Sequence, residues 1–346
     1  MVHKKARKTL TQDQLNTLLA TPSQALIEDF GKLDGDVLVL GAGGKMGPTL
    51  CLLAANARTE AGKSHKIIAV SRYSDPAVPT LLREGGVEVI QADLMDDAAL
   101  EALPRAKYVV YMAGLKFGTS GNPAPTWAMN VYLPGRVAQH FRDSNIVVFS
   151  SGNIYPQMPL HTGGAVEDTT LVPNGEYAIT VLGRERLFDY YGHKFNTPMA
   201  FYRLNYAVDL RYGVFHDIAS TIMAGDPVDV SMGCFNCIWQ GDANEWALRM
   251  MFHCKAPVEA YNVTGPERVI IREAALALGQ RLSKPVHFKG EEGERALLSN
   301  SAKCVSMFGY PRVGVQQMMQ MTADWILQGG SSLGKPTHFE ATDGKY

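Results

Sequence analysis

Between residues 37 and 205, short apolar runs alternate with longer amphipathic segments. Apolar runs of this length, bounded by glycine or polar residues, indicate buried strands, and apolar residues spaced three or four apart indicate helices. The predicted strands are residues 37–40, 66–72, 87–94, 107–114, 146–155 and 201–205, with helices between them. Because strands alternate with helices, the pattern predicts a parallel sheet that is covered by helices on both faces.

A glycine-rich turn, Gly41-Ala-Gly-Gly-Lys-Met-Gly47, follows the first predicted strand and precedes a helix that begins near Pro48. The glycines allow close backbone approach, and the N-terminus of the helix offers N–H groups to a pyrophosphate. Because the turn lies between a strand and a helix, it indicates a dinucleotide site; a glycine-rich turn without a ligand is the alternative. The predicted cofactor contacts here are Gly41, Gly43, Gly44, Lys45, Met46 and Gly47. The expected fold class is α/β, a doubly wound Rossmann sheet with a smaller C-terminal substrate lobe.

The ends of the next strands carry further candidates for cofactor contacts. After the second strand, Ser71 and Arg72 stand where a carboxylate would bind the adenosine ribose of NAD. A hydroxyl and a guanidinium suit a 2′-phosphate, which favours NADP over NAD. The alternative is that Arg72 stacks on adenine or faces solvent. The remaining predicted contacts are Asp93, Leu94, Ala113, Gly114 and, on the helix that follows, Asn130.

The composition of the chain argues against several classes of function. The 346-residue chain has 46% hydrophobic residues, 19% charged residues and a net charge of -1, as in ordinary globular proteins. The near-neutral charge argues against nucleic acid or a membrane surface as the main partner. No apolar run approaches the roughly 18 residues that span a bilayer, and the basic N-terminus lacks the apolar segment of a signal peptide. We therefore expect a cytoplasmic protein without nucleic-acid or membrane partners.

Two further segments leave alternatives open. Residues 1–34 predict one or two helices, broken near Pro22, that pack either on the core or on a partner subunit. Among the five cysteines, Cys234 and Cys237 have the spacing of a redox or metal pair. A zinc site needs about four ligands and no second pair completes it, so ordinary thiols are favoured and no metal site is predicted.

Several motifs occur in an order that resembles one family. They are Phe149-Ser-Ser-Gly-Asn-Ile-Tyr155, the acidic stretch 166–173, Tyr177-Ala-Ile-Thr-Val-Leu-Gly-Arg-Glu185, Phe201-Tyr-Arg-Leu-Asn205 and Tyr261-Asn-Val-Thr-Gly265. Over residues 36–330 the chain resembles the NAD-dependent epimerase/dehydratase family, which comprises extended short-chain dehydrogenases/reductases. The order of the motifs is more specific than any one of them.

The resemblance implies a mechanism and its residues. In this family a tyrosine acts as acid or base on a substrate oxygen, a serine hydrogen-bonds the same oxygen, and a hydride moves to or from the nicotinamide. Here the tyrosine is Tyr177 and the serine is Ser151, and the predicted substrate contacts are Ser150, Ser151 and Asn205. The resemblance also implies a homodimer formed through the helices near residues 126–142 and 177–192.

One family residue is missing. The family carries a lysine four residues after the tyrosine, where it holds the nicotinamide ribose and lowers a tyrosine pKa that is otherwise near ~10. That position is Val181 here. Arg184 lies on nearly the same helix face as Tyr177, about 10 Å further along the axis. Lys116, just after the fourth strand, is the other candidate for the missing catalytic cation; a solvent-exposed loop lysine is the alternative.

A second departure from the family concerns the substrate. Members that act on nucleotide-diphosphate sugars usually carry an arginine at a position that corresponds here to Phe235. Without that guanidinium a diphosphate loses charge-assisted hydrogen bonds. The resemblance therefore implies a smaller substrate, namely a sugar, a sugar acid or lactone, or a related polyol.

These observations predict the organisation of the chain and leave two functions open. The expected parts are a helical extension (1–34), a dinucleotide-binding domain (35–205, with 236–266 returning to it) and a substrate lobe with tail (206–235 and 267–346). A strand near residues 236–240 is expected to rejoin the sheet. The first function is an NAD(P)-dependent oxidoreductase or epimerase, and the second is a non-catalytic dinucleotide-binding sensor or scaffold.

Overall fold

The central sheet of the protein has seven parallel strands in the order β12-β7-β5-β4-β1-β2-β3. The computed structural model describes residues 10–116, 118, 121–341 and 344. The strands are β1 (Val37–Leu40), β2 (Ile67–Ser71), β3 (Glu88–Gln91), β4 (Tyr108–Tyr111), β5 (Asn145–Ser151), β6 (Met158–Pro159), β7 (Met199–Leu204), β8 (Ala207–Val208), β9 (Val228–Asp229), β10 (Cys234–Phe235), β11 (Ile238–Trp239), β12 (Glu259–Val263), β13 (Val269–Ile270), β14 (Phe288–Lys289) and β15 (Arg295–Ala296). The predicted doubly wound parallel sheet is confirmed.

Helices cover both faces of this sheet. They are α1 (Gln12–Leu19), α2 (Gln24–Phe30), α3 (Gly47–Glu60), α4 (Ala77–Glu84), α5 (Asp97–Glu101), α6 (Pro123–Trp127), α7 (Leu133–His140), α8 (Gly175–Phe195), α9 (Val214–Ala224), α10 (Gln240–Met250), α11 (Ile271–Leu282), α12 (Ala302–Phe308) and α13 (Val315–Leu327). A π-helical turn, Ala128–Tyr132, joins α6 to α7, so the helix predicted near residues 126–142 is interrupted by a wider turn that carries Asn130. Helices α3 and α10 pack together on one face, and α7 and α8 pack together on the other.

The expectation that a strand near residues 236–240 rejoins the sheet is wrong. Strand β10 pairs with β13, and β11 pairs with β8, in two-stranded ribbons outside the main sheet. The strand that does return is β12, which pairs with β7 at the edge. Phe235 and Trp239 are buried in a second core, so their apolar side chains serve the smaller lobe.

This second core lies among α9, α11 and α13 and the short ribbons. Its members include Phe215, Leu278 and Met318. The methionines near residue 318 therefore pack as core side chains, as their helical spacing indicates. The lobe stands beyond the C-terminal ends of the parallel strands, where ligands bind in open α/β sheets.

The N-terminal extension joins the two cores. Leu15 and Leu19 of α1 are buried in the second core, whereas Leu26 and Phe30 of α2 are buried in the core under the main sheet. An ion pair between Asp29 and Arg249 of α10, 2.8 Å long, fixes α2 on the sheet side. Of the two alternatives left open by the sequence, the extension packs on its own chain.

The cysteines form no disulfide: all five are free thiols, and Cys234 and Cys237 are buried. Burial raises the pKa of both of these thiols, which makes them poor metal ligands and nucleophiles. The described ranges contain no cluster of metal-ligating side chains. None of the helices described is long and apolar enough to cross a bilayer.

Truncation of Phe30 tests whether the extension belongs to the folding unit. Phe30→Ala removes a fully buried ring from the main core and is expected to cost about 3–5 kcal/mol of unfolding free energy. Leu18→Ala on α1, whose side chain is 39% exposed, is the control and should cost under about 1 kcal/mol. Urea unfolding followed by circular dichroism gives both values. Similar small losses for the two variants would show that the extension is not integral to the core.

Candidate active site

A groove crosses the C-terminal ends of the parallel strands and consists of two adjoining cavities. Gly41, Gly44 and Met112 line both cavities and mark where they meet. The first cavity contains the predicted cofactor contacts Ser71, Arg72, Asp93, Leu94, Ala113 and Gly114. The second, about 240 Å³ in volume, contains Lys45, Lys116, Ser150, Ser151, Tyr177 and Asn205. Folding therefore brings most of the predicted site residues to one groove.

The glycine turn between β1 and α3 fits a dinucleotide. A Cβ atom on Gly47 would lie 2.3 Å from the carbonyl oxygen of Ala42, and one on Gly41 would lie 2.6 Å from the backbone nitrogen of Ala113. Gly41 also has a φ of +90°, which L residues rarely adopt. Met46 caps α3 without a side-chain hydrogen bond, so the first N–H groups of the helix are left to a ligand such as a pyrophosphate.

The outer end of the groove carries the side chains predicted to read the adenosine ribose. Ser71 lies behind the turn, because a Cβ on Gly43 would meet its Oγ at 2.7 Å. Arg72 lies 3.8 Å from Asp93, and its side chain is 64% exposed. This long, exposed ion pair contributes little to stability, so the guanidinium of Arg72 stays open to solvent at the edge of the first cavity.

Tyr177 stands in the first turn of α8, in the second cavity, and its hydroxyl is hydrogen-bonded to Ser151. Ser151 is itself held by Asn153, through the Oδ1 atom at 3.0 Å and the backbone N–H at 3.2 Å. Burial raises the pKa of Tyr177, while the charge of Arg184 and the hydrogen bond to Ser151 oppose that rise. The tyrosine is therefore protonated at neutral pH in the ligand-free chain.

The other two predicted substrate contacts lie beside this pair but are bonded to protein groups. Ser150 donates a 2.5 Å hydrogen bond to Glu185. Asn205 donates through Nδ2 to Asn236 at 2.8 Å. Both residues line the cavity, so a direct substrate contact by either stays a prediction.

Arg184 turns into the protein and approaches the space next to Tyr177. Its Nη1 atom donates to the carbonyl oxygen of Phe149 at 2.7 Å and its Nη2 atom to Asn130 Oδ1 at 3.1 Å. A Cβ on Gly114 would lie 2.3 Å from Nη2, so the glycine after β4 makes room for the guanidinium as well as for a cofactor. Val181, at the family lysine's position, is fully buried and supplies no charge.

Asn130, on the π-helical turn, was predicted as a cofactor contact, but its side chain is fully buried and engaged with the protein. It pairs with the backbone N–H and carbonyl of Leu115, both at 2.8 Å, and with Thr180 at 3.1 Å. Together with its bond to Arg184, these contacts fix the loop after β4. Asn130 therefore affects the site indirectly, because it fixes the positions of Leu115 and Arg184.

The sequence matches one known protein family. The family model of the NAD dependent epimerase/dehydratase family matches residues 37–208. The dinucleotide-binding part of the chain, residues 37–208, belongs to this family. A comparison with curated protein sequences gave no significant match.

Solved epimerases and a dehydratase share the fold. UDP-glucuronic acid 4-epimerase from Bacillus cereus, in complex with NAD, superposes with a TM-score of 0.70 at 16% identity over 85% of this chain and 99% of that one. UDP-glucose 4-epimerase from Thermus thermophilus, also with NAD, has a TM-score of 0.67 at 20% identity, over 84% and 98%. A dTDP-glucose 4,6-dehydratase from Streptomyces venezuelae has a TM-score of 0.70 at 16% identity, over 85% and 97%. These similarities establish the Rossmann-like fold of this family member.

The groove also contains residues that the sequence did not single out. Thr337 of the C-terminal tail lines the second cavity, and its backbone N–H donates to Asp217 at 2.7 Å. Tyr212, from the turn before α9, lines the same cavity. Phe339, an isolated apolar residue in a polar tail, is buried in the second core and is the signal that could have shown that the tail docks here.

Proposed function

We propose that this protein is an NAD(P)-dependent oxidoreductase or epimerase that acts on a small sugar, sugar acid or related polyol. The observation that carries the proposal is the hydrogen bond between Tyr177 and Ser151 in a cavity that adjoins the glycine turn. A protein that only bound a dinucleotide would have no need of this pair.

The residues of this chain supply proton transfer and orientation. A bound nicotinamide dinucleotide supplies the hydride carrier. Tyr177 holds its proton on the phenolic oxygen and gives it to a substrate carbonyl oxygen in the reducing direction, or takes it from a substrate hydroxyl in the oxidising direction. Ser151, whose hydroxyl donates to Asn153 Oδ1 in the ligand-free chain, turns that proton to the same substrate oxygen when substrate is bound and fixes its position. In an epimerase both directions occur in one turnover, whereas net redox releases the changed cofactor.

Arg184 takes over the electrostatic part of the missing lysine. Its positive charge stabilises the tyrosinate form of Tyr177 and so lowers the tyrosine's pKa against the effect of burial. Lys116 is the other predicted cation, and its Nζ atom lies 5.9 Å from the centre of the Tyr177 ring. The charge that opposes the effect of burial on the pKa of Tyr177 is that of Arg184, which favours Arg184 in this role. Arg184 acts through Tyr177 and is therefore a positioning residue.

Two features favour a small substrate. Phe235 is buried against Tyr206 and Phe215, where nucleotide-sugar enzymes of the family usually have an arginine. The C-terminal tail places Thr337 in the cavity and so occupies room beside Tyr177. The similar solved enzymes are named for UDP- or dTDP-sugars. Because of the two features above, we infer that the substrate of this chain lacks the nucleotide.

The cofactor assignment rests on Ser71 and Arg72. The similar epimerases from Bacillus cereus and Thermus thermophilus contain NAD. In this chain a hydroxyl and an exposed guanidinium stand at the end of β2, and they suit the 2′-phosphate of NADP. We therefore propose NADP as the preferred cofactor, with NAD as the second.

A homodimer in the cytoplasm completes the proposal. Apolar side chains on the two helices expected to form the dimer are exposed, namely Tyr132, Ile179 and Tyr190 at 57%, 40% and 59%. Such side chains on adjoining helices support an interface with a second copy.

The competing function, a non-catalytic sensor or scaffold, is supported by Val181 in place of the lysine.

Removal of the Tyr177 hydroxyl tests the proposed chemistry. Tyr177→Phe is expected to lower kcat about 10²- to 10⁴-fold on any substrate found in a panel of sugars, sugar acids and polyols, because the proton donor is lost. Its affinity for NADPH and NADH should be unchanged. Tyr190→Phe, on the exposed face of the same helix, is the control and should keep full activity. Full activity of Tyr177→Phe would refute the mechanism, and the absence of turnover in the wild type would favour the sensor.

Neutralisation of Arg184 tests its effect on the tyrosine. In Arg184→Gln the tyrosinate loses its stabilising charge, so the pKa of Tyr177 rises. In the oxidising direction, which needs the tyrosinate, the rising limb of the pH profile of kcat/KM should move up by about 1 pH unit or more. Arg186→Gln is the control, because Arg186 lies two residues further along α8 and its side chain is exposed. A pH profile that does not move, with only a loss of stability, would show that Arg184 is merely structural.

Arg72→Ala tests the cofactor assignment. We expect the dissociation constant of NADPH, measured by fluorescence titration, to rise roughly 5- to 20-fold, because one exposed charge-assisted contact to the 2′-phosphate is lost. The constant for NADH should change less than about twofold. Arg142→Ala, a surface arginine elsewhere, should change neither. Equal effects on both cofactors would instead place Arg72 against adenine.

A further inference from the structure

The second cavity contains two lysines whose presence the proposed chemistry does not explain. Lys45 comes from the glycine turn and Lys116 from the loop after β4, and both line the cavity that holds Tyr177 and Ser151. None of the described residues that line this cavity is an aspartate or a glutamate. The cavity therefore has a formal charge of about +2 when both amines are protonated.

Lys45 reaches away from the cofactor turn and towards the smaller lobe. Its Nζ atom donates to the carbonyl oxygen of Ala207 on β8 at 2.7 Å and lies 3.6 Å from the centre of the Tyr212 ring. Lys45 does not line the cavity that contains Ser71 and Arg72. Its ammonium group therefore stands on the substrate side of the groove, although the sequence placed it among the cofactor contacts.

The carboxylates around these lysines have other partners. Asp209 forms a 2.7 Å ion pair with Arg211. Asp217 accepts hydrogen bonds from the backbone N–H and the hydroxyl of Thr337. Burial lowers the pKa of Lys45 to about 7 and that of Lys116 to about 8; Asp209 and Asp217 oppose the shift at Lys45, and Asp217 opposes it at Lys116. An anion between the two amines would offset this cost of burying like charges.

We propose that Lys45 and Lys116 form a carboxylate-binding subsite, so that the substrate is a small polyhydroxy acid whose carboxylate lies between the two amines while its reacting carbon faces Tyr177. This inference rests on the proposed function, because it concerns the substrate of the same cavity. The two amines come from two segments at the ends of neighbouring strands, the turn after β1 and the loop after β4. They fix one end of the acid, and the Tyr177–Ser151 pair fixes the oxygen that reacts.

A carboxylate fits the lining better than a phosphate ester does. Phosphate groups are usually bound by arginine forks or by several backbone N–H groups at a helix N-terminus. No arginine is among the described residues of this cavity, and the N-terminus of α3 is assigned to the cofactor pyrophosphate. Two ammonium groups and the neighbouring hydroxyl of Tyr212, which lines the same cavity, suffice for a carboxylate.

The test measures binding without turnover, in the Tyr177→Phe protein saturated with NADPH or NADH. The probes are matched pairs that differ in one group, an aldonate and its alditol, such as gluconate with glucitol and galactonate with galactitol. Isothermal titration calorimetry should give an affinity at least about tenfold higher for an aldonate than for its alditol. Lys45→Met and Lys116→Met should each weaken aldonate binding at least about tenfold and leave the affinity for NADPH and NADH unchanged.

Lys32→Met, at an exposed position of the extension, is the matched control and should bind the aldonate as the parent protein does. Equal affinity for aldonate and alditol, tighter binding of a sugar phosphate, or no binding of any aldonate overturns the inference. A parallel loss of cofactor affinity in the lysine variants also overturns it, because the lysines would then bind the pyrophosphate. If a lysine variant does not fold, the comparison of aldonate with alditol decides.

The failures of the two proposals are distinguishable. Lysine-dependent binding of an aldonate without turnover in the wild type refutes the enzymatic function and supports the subsite. Turnover of neutral sugars that requires Tyr177, with no preference for acids, supports the enzymatic function and overturns the subsite.

Discussion

A buried ion pair between Glu185 of α8 and Arg203 of β7 holds the helix of the active site on the sheet. Arg203 contacts Glu185 through Nη2 at 2.8 Å and Nε at 3.0 Å, and both side chains are less than 10% exposed. The contact is bidentate, which fixes direction as well as distance. Loss of either partner would leave a buried charge uncompensated, at a cost of about 3–5 kcal/mol.

The ion pair is the centre of a larger polar network. Ser150, at the end of β5, donates to the same carboxylate. Arg203 also donates to the hydroxyl of Tyr155 at 2.6 Å, and Tyr155 donates to Asn262 of β12 at 2.9 Å. A well-packed apolar replacement is often as stable as such a pair, so the network's specific contribution is geometric. It fixes the rotation of α8, and this rotation directs Tyr177 into the groove and Arg184 into the protein interior.

Much of this arrangement follows from the sequence, and the parts that do not have a common physical cause. The strands of the main sheet and the glycine turn were predictable because short apolar runs and glycines report local geometry. The run near residue 238 reads in the same way, yet β11 lies in the smaller lobe, since burial alone does not say which core a strand joins.

The direction of Arg184 was equally inaccessible from the sequence. A helical arginine either points to solvent or turns inward, and the inward choice here depends on Gly114 and Asn130, which lie 70 and 54 positions earlier in the chain. The docking of the tail through Thr337 on Asp217, 120 positions apart, is a similar long-range contact. Local patterns predict elements, whereas such contacts require the assembled fold.

The missing lysine therefore means that the site's positive charge is distributed differently. In the family one lysine on the helix serves both the cofactor ribose and the tyrosine. In this chain the guanidinium of Arg184 lies behind Tyr177. The titratable amines, Lys45 and Lys116, stand on the loops that face the substrate.

This division separates two tasks that one lysine would have to combine. The charge of Arg184 behind the tyrosine opposes the rise in the pKa of Tyr177 that burial causes. Burial lowers the pKa of Lys45 to about 7 and that of Lys116 to about 8, so in the proposed complex an anion between the two amines would favour their charged forms. On this view Val181 is compatible with catalysis, since the charge that it lacks is supplied by Arg184 three residues further along the same buried face of α8.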